Sequence, residues 1–538
     1  MPVNAVTHLS RAQPSPFLNH TRLDLALTKL LKRSVIHPTI IFDLSRIKYE
    51  LERFLLEGEF ELFEDERSIA KLEAEHAVGE VSYGKLIFSC WGDGWSRSWR
   101  VISCELSPER LILECAKQMG LKRCGLTLSR GAGIRQAALA RKEFAHKLAA
   151  MIEAFQPGLK VEEAVSARND RRHLSGVHAR LIIRDRGRRF AGLGVCETEL
   201  QPNVDAALAA GLIWVEELRR RRGALNGLMI FAPRCDTIAV RLTALTPTAP
   251  VSLYRIDETK GTIEPVSPFD QGDLNDRFRR AARRAHWPRP GMLPPDSAML
   301  VESVRRLAPD HIETHHRGSW VSLSIRGLEI ARVSVSRRRV EFGIGEARVK
   351  LDRTNEQGLE ELIAQTITRR RPEVEFRNDM IFRYQPERWL ESIISRDVTA
   401  LDATLDPRFA YSQVPTYRGE QRTFIDLLAA TREGRLVVME LKVTEETEFP
   451  FQALDYWLRV EWHRARGDFH RRGYFEGLEL IDAPPLLYLV APLFRFHETT
   501  ELLASSIHER VPVYRVGINE DWRNGVKVLL REKLNGSQ

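Results

Sequence analysis

The chain has 538 residues, 43% of them hydrophobic and 29% charged, with a formal net charge of +8. That length holds several domains with their own cores, and the mix is that of a globular protein rather than a disordered or collagen-like one. There is no apolar run of about 18 residues, which excludes a transmembrane helix, and the start MPVNAVTHLSRAQPSPF lacks the apolar core of a signal peptide, so a cytoplasmic protein with no membrane partner is expected.

Many of the basic residues are arginines in clusters, which fit a polyanionic partner as well as a solvated surface. The six cysteines, Cys90, Cys104, Cys115, Cys124, Cys196 and Cys235, form no CxxC pair. They read as buried apolar residues in a reducing compartment, with a zinc site from the first four as the sharper alternative. No P-loop, GxSxG or HExxH motif occurs, which removes those enzyme classes.

In chain order, residues 1–36 read as a poorly ordered start followed by a short basic helix, LDLALTKLLKR. Residues 39–128 read as mostly β, with a helix from Ser45 to Glu57 and strand-like runs GKLIFSCW, SWRVISCEL and ERLILECA. Helical spacing returns from Arg141 to Phe155. HARLIIRD and RRFAGLGVC then form a hairpin around Arg186-Gly187, followed by a helix over 203–222, the strand LMIFAP, a helix through Leu245 and the strand VSLYRID.

Residues 270–297 begin as a basic helix and end in a Pro-rich linker. Arg277, Arg280 and Arg284 share a helix face there, beside Arg283 and Trp287, and could grip nucleic acid or simply face solvent. Residues 307–351 read as strands, with Arg337-Arg338-Arg339 as a basic turn suited to phosphate. Within them, His311, Glu313 and His315 share a strand face, which reads as an exposed polar stretch before a metal site. A helix over 356–370 follows.

The stretch from Thr423 to Trp457 carries the chemistry. IDLL and RLVVMELK flank a turn at Thr431-Arg432-Glu433-Gly434. Alternation along a strand turns Glu440 and Lys442 to one side and Leu441 to the other, and Asp426 reaches the same spot across the turn. Two converging carboxylates form an oxygen-rich site suited to Mg²⁺ or Mn²⁺, and the lysine can orient a water or offset phosphate charge.

Asp426, then thirteen residues, then Glu440-Leu441-Lys442 resembles the PD-(D/E)XK nuclease motif, with Ile425 where its Pro would stand. Gln452 and Tyr456, four apart on the next helix, resemble the QxxxY motif of the RecB-like branch. The resemblance covers roughly Tyr384 to Val516 and implies a metal held by Asp426, Glu440 and Glu387, the last preferred to Glu391 on the preceding helix. It implies catalytic roles for Asp426, Glu440, Lys442, Gln452, Tyr456 and Glu387, with DNA as partner. The helix continues RVEWHRARGDFHRRGYF, so Arg459, Arg464, Arg466, Arg471 and Arg472, together with Arg338, are the expected DNA contacts.

The earlier hairpin region repeats this order of elements. Ala232-Pro233 matches Ala491-Pro492 and Tyr254-Arg255 matches Tyr514-Arg515. Aligning the hairpins puts Arg180 at the Asp426 position, Gly194 at Glu440 and Cys196 at Lys442, with Ala206 and Ala210 at the QxxxY positions. This copy therefore reads as chemically degenerate, with a pseudo-dimer or DNA-binding role.

The expected class is α/β: a restriction-endonuclease-like mixed sheet at the C-terminus, β-rich modules before it and a degenerate second copy. The divisions are 1–135 (β-rich), 136–262 (degenerate copy), 263–300 (basic helix and linker), 301–375 (second β-rich module) and 376–538 (nuclease). The module order is similar to that of mismatch-specific double-strand endonucleases, which act as dimers; a fused pair with one silent copy departs from them and puts double-strand cutting in doubt unless this protein itself dimerises, so either a homodimer or an internal pseudo-dimer is expected. The function expected is a metal-dependent DNA endonuclease in repair or genome defence. The alternative is a catalytically silent nucleic-acid-binding scaffold.

Overall fold

The computed structural model describes residues 39–41, 44–56, 58–64, 67–82, 85–92, 95–107, 110–117, 122–130, 132–166, 177–199, 201–246, 250–268, 293–317, 319–373, 379–418 and 421–536. The basic helix expected before residue 36, and Arg277, Arg280, Arg283, Arg284 and Trp287, lie outside them.

Among the described residues, four sheets follow one another along the chain, and the class is α/β as expected. The first has eight antiparallel strands drawn from residues 39–129. Its core pairs the Leu44–Leu56 helix with the sheet: Ile47, Leu51 and Phe54 pack among Phe88, Trp99, Leu111 and Leu126. Cys90, Cys104 and Cys115 sit in the same cluster, so they are core side chains there. Burial pushes the Cys104 thiol up to about 11.

The third sheet has five antiparallel strands within residues 312–350, covered by the helices Pro295–Arg305 and Glu356–Arg369. Arg338 stands in the turn between two of its strands with φ at 48°, and its guanidinium pairs with Asp296 at 2.8 Å. Glu313 on this sheet takes the Arg396 guanidinium.

The second and fourth sheets have six strands each and share one plan. In both, two antiparallel pairings are followed by two parallel ones and a final antiparallel one. Parallel pairing buries both faces of a strand, which is why LVVMEL and LLYLVAP read as unbroken apolar runs and are buried along their full length.

Two hydrogen bonds fix the equivalence of the copies. Val195 N donates to Phe231 O at 2.9 Å, and Lys442 N donates to Val490 O at 3.0 Å. Correspondingly, Leu193 pairs with Ile230 and Glu440 with Leu489, each two residues before the Ala-Pro pair. The sequence alignment is therefore one residue out on this strand. Leu193 and Val195, not Gly194 and Cys196, occupy the Glu440 and Lys442 places. Gly194 turns to the opposite face, where a Cβ would lie 2.1 Å from Leu148. Arg180 keeps the Asp426 place, because it pairs with Leu193.

The helix-covered faces of the two copies form one continuous core, from Leu208, Leu212 and Val215 of one to Phe451, Leu454 and Leu503 of the other. The chain segments after the two equivalent short helices, Asp236–Leu242 and Thr500–Ser505, pair across the junction. Thr246 N donates to Ser506 O at 2.7 Å and His508 N to Ala244 O at 2.9 Å, so each copy meets the other with the same segment.

Candidate active site

The acidic hairpin is Gln421–Thr431 and Leu436–Leu441. Its turn depends on Gly434, whose φ is 86° and where a Cβ would lie 1.8 Å from Glu479 O. Asp426 lies one residue beyond the last paired residues, Leu427 and Met439, and thus opposite Glu440. Its Oδ2 accepts from Leu441 N at 3.0 Å, which ties the two strand ends together. Leu441 points into the core against Leu390 and Val490, as alternation requires.

Glu440 and Lys442 are 4% and 5% exposed. The Lys442 ammonium lies 3.4 Å from Glu440 Oε1 and 2.8 Å from Glu446 Oε2. Burial and the Asp426 charge hold the Glu440 carboxyl well above the usual range. Burial opposes the Lys442 charge, but Glu446, Glu440 and Asp426 outweigh it and raise its pKa well above that of an ordinary lysine. Glu440 Oε2 is buried without a hydrogen-bond partner.

Pro386 starts the helix Pro386–Arg396 and sets Glu387 in its first turn. Burial pushes the Glu387 carboxyl up to about 7, against the pull of Lys442. Glu391, one turn on, does not line the cleft: it accepts from Ser412 Oγ, from Gln413 Nε2 at 2.5 Å and from Arg388 Nη1 at 3.2 Å. The helix Phe449–Arg464 brings Gln452 and Tyr456 to the cleft. Gln452 Nε2 donates to Glu446 Oε1, so it reaches the lysine through Glu446.

Asp426, Glu440, Lys442, Gln452, Tyr456 and Glu387 thus line a single cleft of about 650 Å³. The lining also includes Glu75 and His76, from the short helix Ala74–His76 between two strands of the first sheet, and Trp91 of that sheet, so the cleft lies between modules distant in sequence. Among the described residues, the acids and histidine whose ligand atoms already lie within 4.8 Å of one another are Glu73, Glu75 and His76, at the rim. The inner carboxylates are spaced around the Lys442 ammonium instead.

No family model matches the chain, and no curated protein matches it. Among solved structures it is similar to EndoMS in its apo form, at 15% identity over 37% of this chain and 90% of that one, with a TM-score of 0.12. So remote a likeness leaves the functional reading to rest on the residues of the cleft.

The arginines expected to touch DNA stand elsewhere. Arg459, Arg464, Arg466, Arg471 and Arg472 do not line the cleft. Arg464 is held by Glu461 and Asp482, and Arg466 lies over the Trp462 ring at 3.9 Å. Arg471 pairs with Asp468 at 2.9 Å, and burial lowers the Arg459 guanidinium to about 10. The cations that do line the cleft are Arg383, Arg388, Arg495 and Arg523, with Lys442.

Two site residues escaped the sequence. Glu446 follows the hairpin in a loop and has no motif of its own. Gln413 bridges Glu391 and Asp426, donating to Asp426 Oδ1 at 3.2 Å with its own φ at 53°. It sits on the strand Leu405–Arg418, where Pro407 and Pro415 break the strand pattern. Prolines are tolerated there because the strand is at the sheet edge.

Among the described residues, the degenerate copy has no equivalent constellation. Arg180 lies over the Trp214 ring at 5.3 Å. Glu199 accepts from Asn203 Nδ2 at 2.7 Å, and Glu197 and Glu258 accept from each other's backbone N–H groups.

Proposed function

We propose that this chain is a metal-dependent DNA endonuclease with PD-(D/E)XK chemistry of the RecB-like kind, hydrolysing phosphodiester bonds in repair or genome defence. The convergence of Asp426, Glu440, Lys442, Gln452 and Tyr456 on one cleft supports this reading most directly. A scaffold that only bound nucleic acid would need none of that set.

The residues fit a hard divalent cation. Glu440 Oε2 is buried and unsatisfied, and Asp426 and Glu440 repel each other's charge, a repulsion that a divalent cation between them would relieve. Asp426, Glu440 and Glu387 would hold Mg²⁺ or Mn²⁺, with the Leu441 carbonyl beside them. When bound, such an ion polarises a phosphoryl oxygen and lowers the pKa of a water. Lys442 donates to the attacking water and offsets charge on the phosphate. Glu446 and Gln452 fix the lysine's direction, and Tyr456 stands where it can contact the DNA backbone. Arg383, Arg388, Arg495 and Arg523 supply sequence-independent phosphate contacts along the cleft.

The test is cleavage of labelled duplex, single-stranded, mismatched and branched DNA with Mg²⁺ or Mn²⁺, beside a chelator control. Metal-dependent cutting of any of them is expected. Salt-sensitive binding of all of them with no cutting would overturn the enzyme reading and favour a scaffold.

A further inference from the structure

We infer that this chain acts as a monomer and nicks DNA, breaking one strand in each binding event. The inference rests on the nuclease reading above and adds the form of its product.

Two observations carry it. The first is the internal junction. The helix-covered faces of both six-stranded sheets are buried in one shared core, and the segments around Leu245 and Ile507 pair symmetrically across it. Arg241, from the degenerate copy, is 0% exposed. It donates to both oxygens of Asp455 at 2.9 Å each and to Glu448 at 3.0 Å, on and beside the helix that carries Gln452 and Tyr456. The face through which the catalytic copy meets another fold of its own kind is therefore occupied within the chain.

The second observation is the chemistry of that partner. Where the catalytic copy has Asp426, Glu440 and Lys442, its counterpart has Arg180, Leu193 and Val195. A guanidinium and two aliphatic side chains can neither gather a divalent cation nor hold a water for attack. The repeated fold is kept in the backbone of the second copy, while the acid pair and the lysine are lost from its side chains.

Each cut consumes one water. A bond forms between its oxygen and phosphorus, one P–O bond to a sugar breaks, and the sugar oxygen leaves with a proton as a hydroxyl. A double-strand break needs this twice, on strands of opposite direction. One acid pair serves one strand per encounter, so the second cut requires release and rebinding.

The experiment is a time course of supercoiled plasmid in excess over this 538-residue chain with Mg²⁺, with the solution mass measured by light scattering. Open circles should accumulate first and linear DNA only after repeated nicking, with a mass near the single-chain value of 61.7 kDa. Linear DNA from the earliest points without open circles, or a stable dimer, would overturn the inference while leaving the nuclease reading intact. No cutting with either Mg²⁺ or Mn²⁺ would overturn the nuclease reading itself. Glu197→Gln, which keeps the acceptor for Glu258 N, should nick at the wild-type rate. A tenfold loss in a folded variant would show that the second copy supplies chemistry and would also overturn the inference.

Discussion

At the scale of single residues, Lys442 is the pivot of the cleft. It stands between Glu440 and Glu446, and Glu446 alone links it to Gln452. Lys442→Ala should slow cleavage by roughly 10²–10⁴-fold, the range for losing a positioned proton donor or charge at the reacting group. Glu446→Gln keeps the acceptor for Gln452 but weakens the hold on the ammonium, so a smaller loss, about tenfold, is expected. Initial rates on one labelled duplex decide both, and a wild-type rate for Glu446→Gln would contradict the positioning role of Glu446. Away from the cleft, His178 and His463 are both buried and held neutral by that burial, with pKa values lowered from 6.5 to about 4. The unfolded chain therefore takes up protons first as pH falls. Stability should be intact above about 6.5 and decline from there towards pH 4, where each imidazole costs on the order of 3 kcal/mol. Melting temperatures measured across that range test this; replacing His178 by Asn should flatten the decline.

At the scale of elements, the helix Phe449–Arg464 is positioned by a residue of the other copy. Removing one partner of a buried, hydrogen-bonded charge cluster costs about 3–5 kcal/mol. Arg241→Met should therefore lower the melting temperature by several degrees. It should also reduce cleavage beyond the loss of folded protein, because Gln452 and Tyr456 ride on the same helix. A variant with full activity per folded molecule would show that the junction does not position them. Gly434→Ala should cost at least about 1 kcal/mol from its positive φ alone, with the clash at Glu479 O added. These elements differ in how legible they were. The acidic hairpin could be read because a G-x turn and an unbroken apolar run leave few alternatives. The edge strand Leu405–Arg418 could not, because its prolines mimic loop composition and only its place at the sheet edge admits them. Gln413 was hidden with it.

At the scale of the whole molecule, the internal repeat was visible because two Ala-Pro strand ends and two Tyr-Arg pairs mark equivalent strands at nearly equal spacing. The one-residue slip in the degenerate copy was not visible, since nothing in RRFAGLGVC says which residues face the helices; hydrogen bonding to the neighbouring strand decides it. The cleft's outer wall was equally hidden. Glu75, His76 and Trp91 lie more than 300 residues before the hairpin, and only tertiary packing brings them there, through contacts of the first sheet with Gly345–Ala347 and the hydrogen bond from Arg383 to Glu75 O. The expected DNA arginines followed a basic run in sequence, whereas the cations lining the cleft come singly from separate elements. Arg523→Ala should weaken DNA binding and make it less salt-dependent by about one counterion, as a phosphate contact requires; an unchanged salt slope would exclude that contact.

The most direct measurement compares wild type with Glu440→Gln in single-turnover cleavage of a labelled duplex, each with Mg²⁺ and with chelator. Wild type should cut only with the metal, and the variant, folded and still bound to DNA, should lose at least about 10²-fold. Cutting by Glu440→Gln at the wild-type rate would place the chemistry outside this cleft.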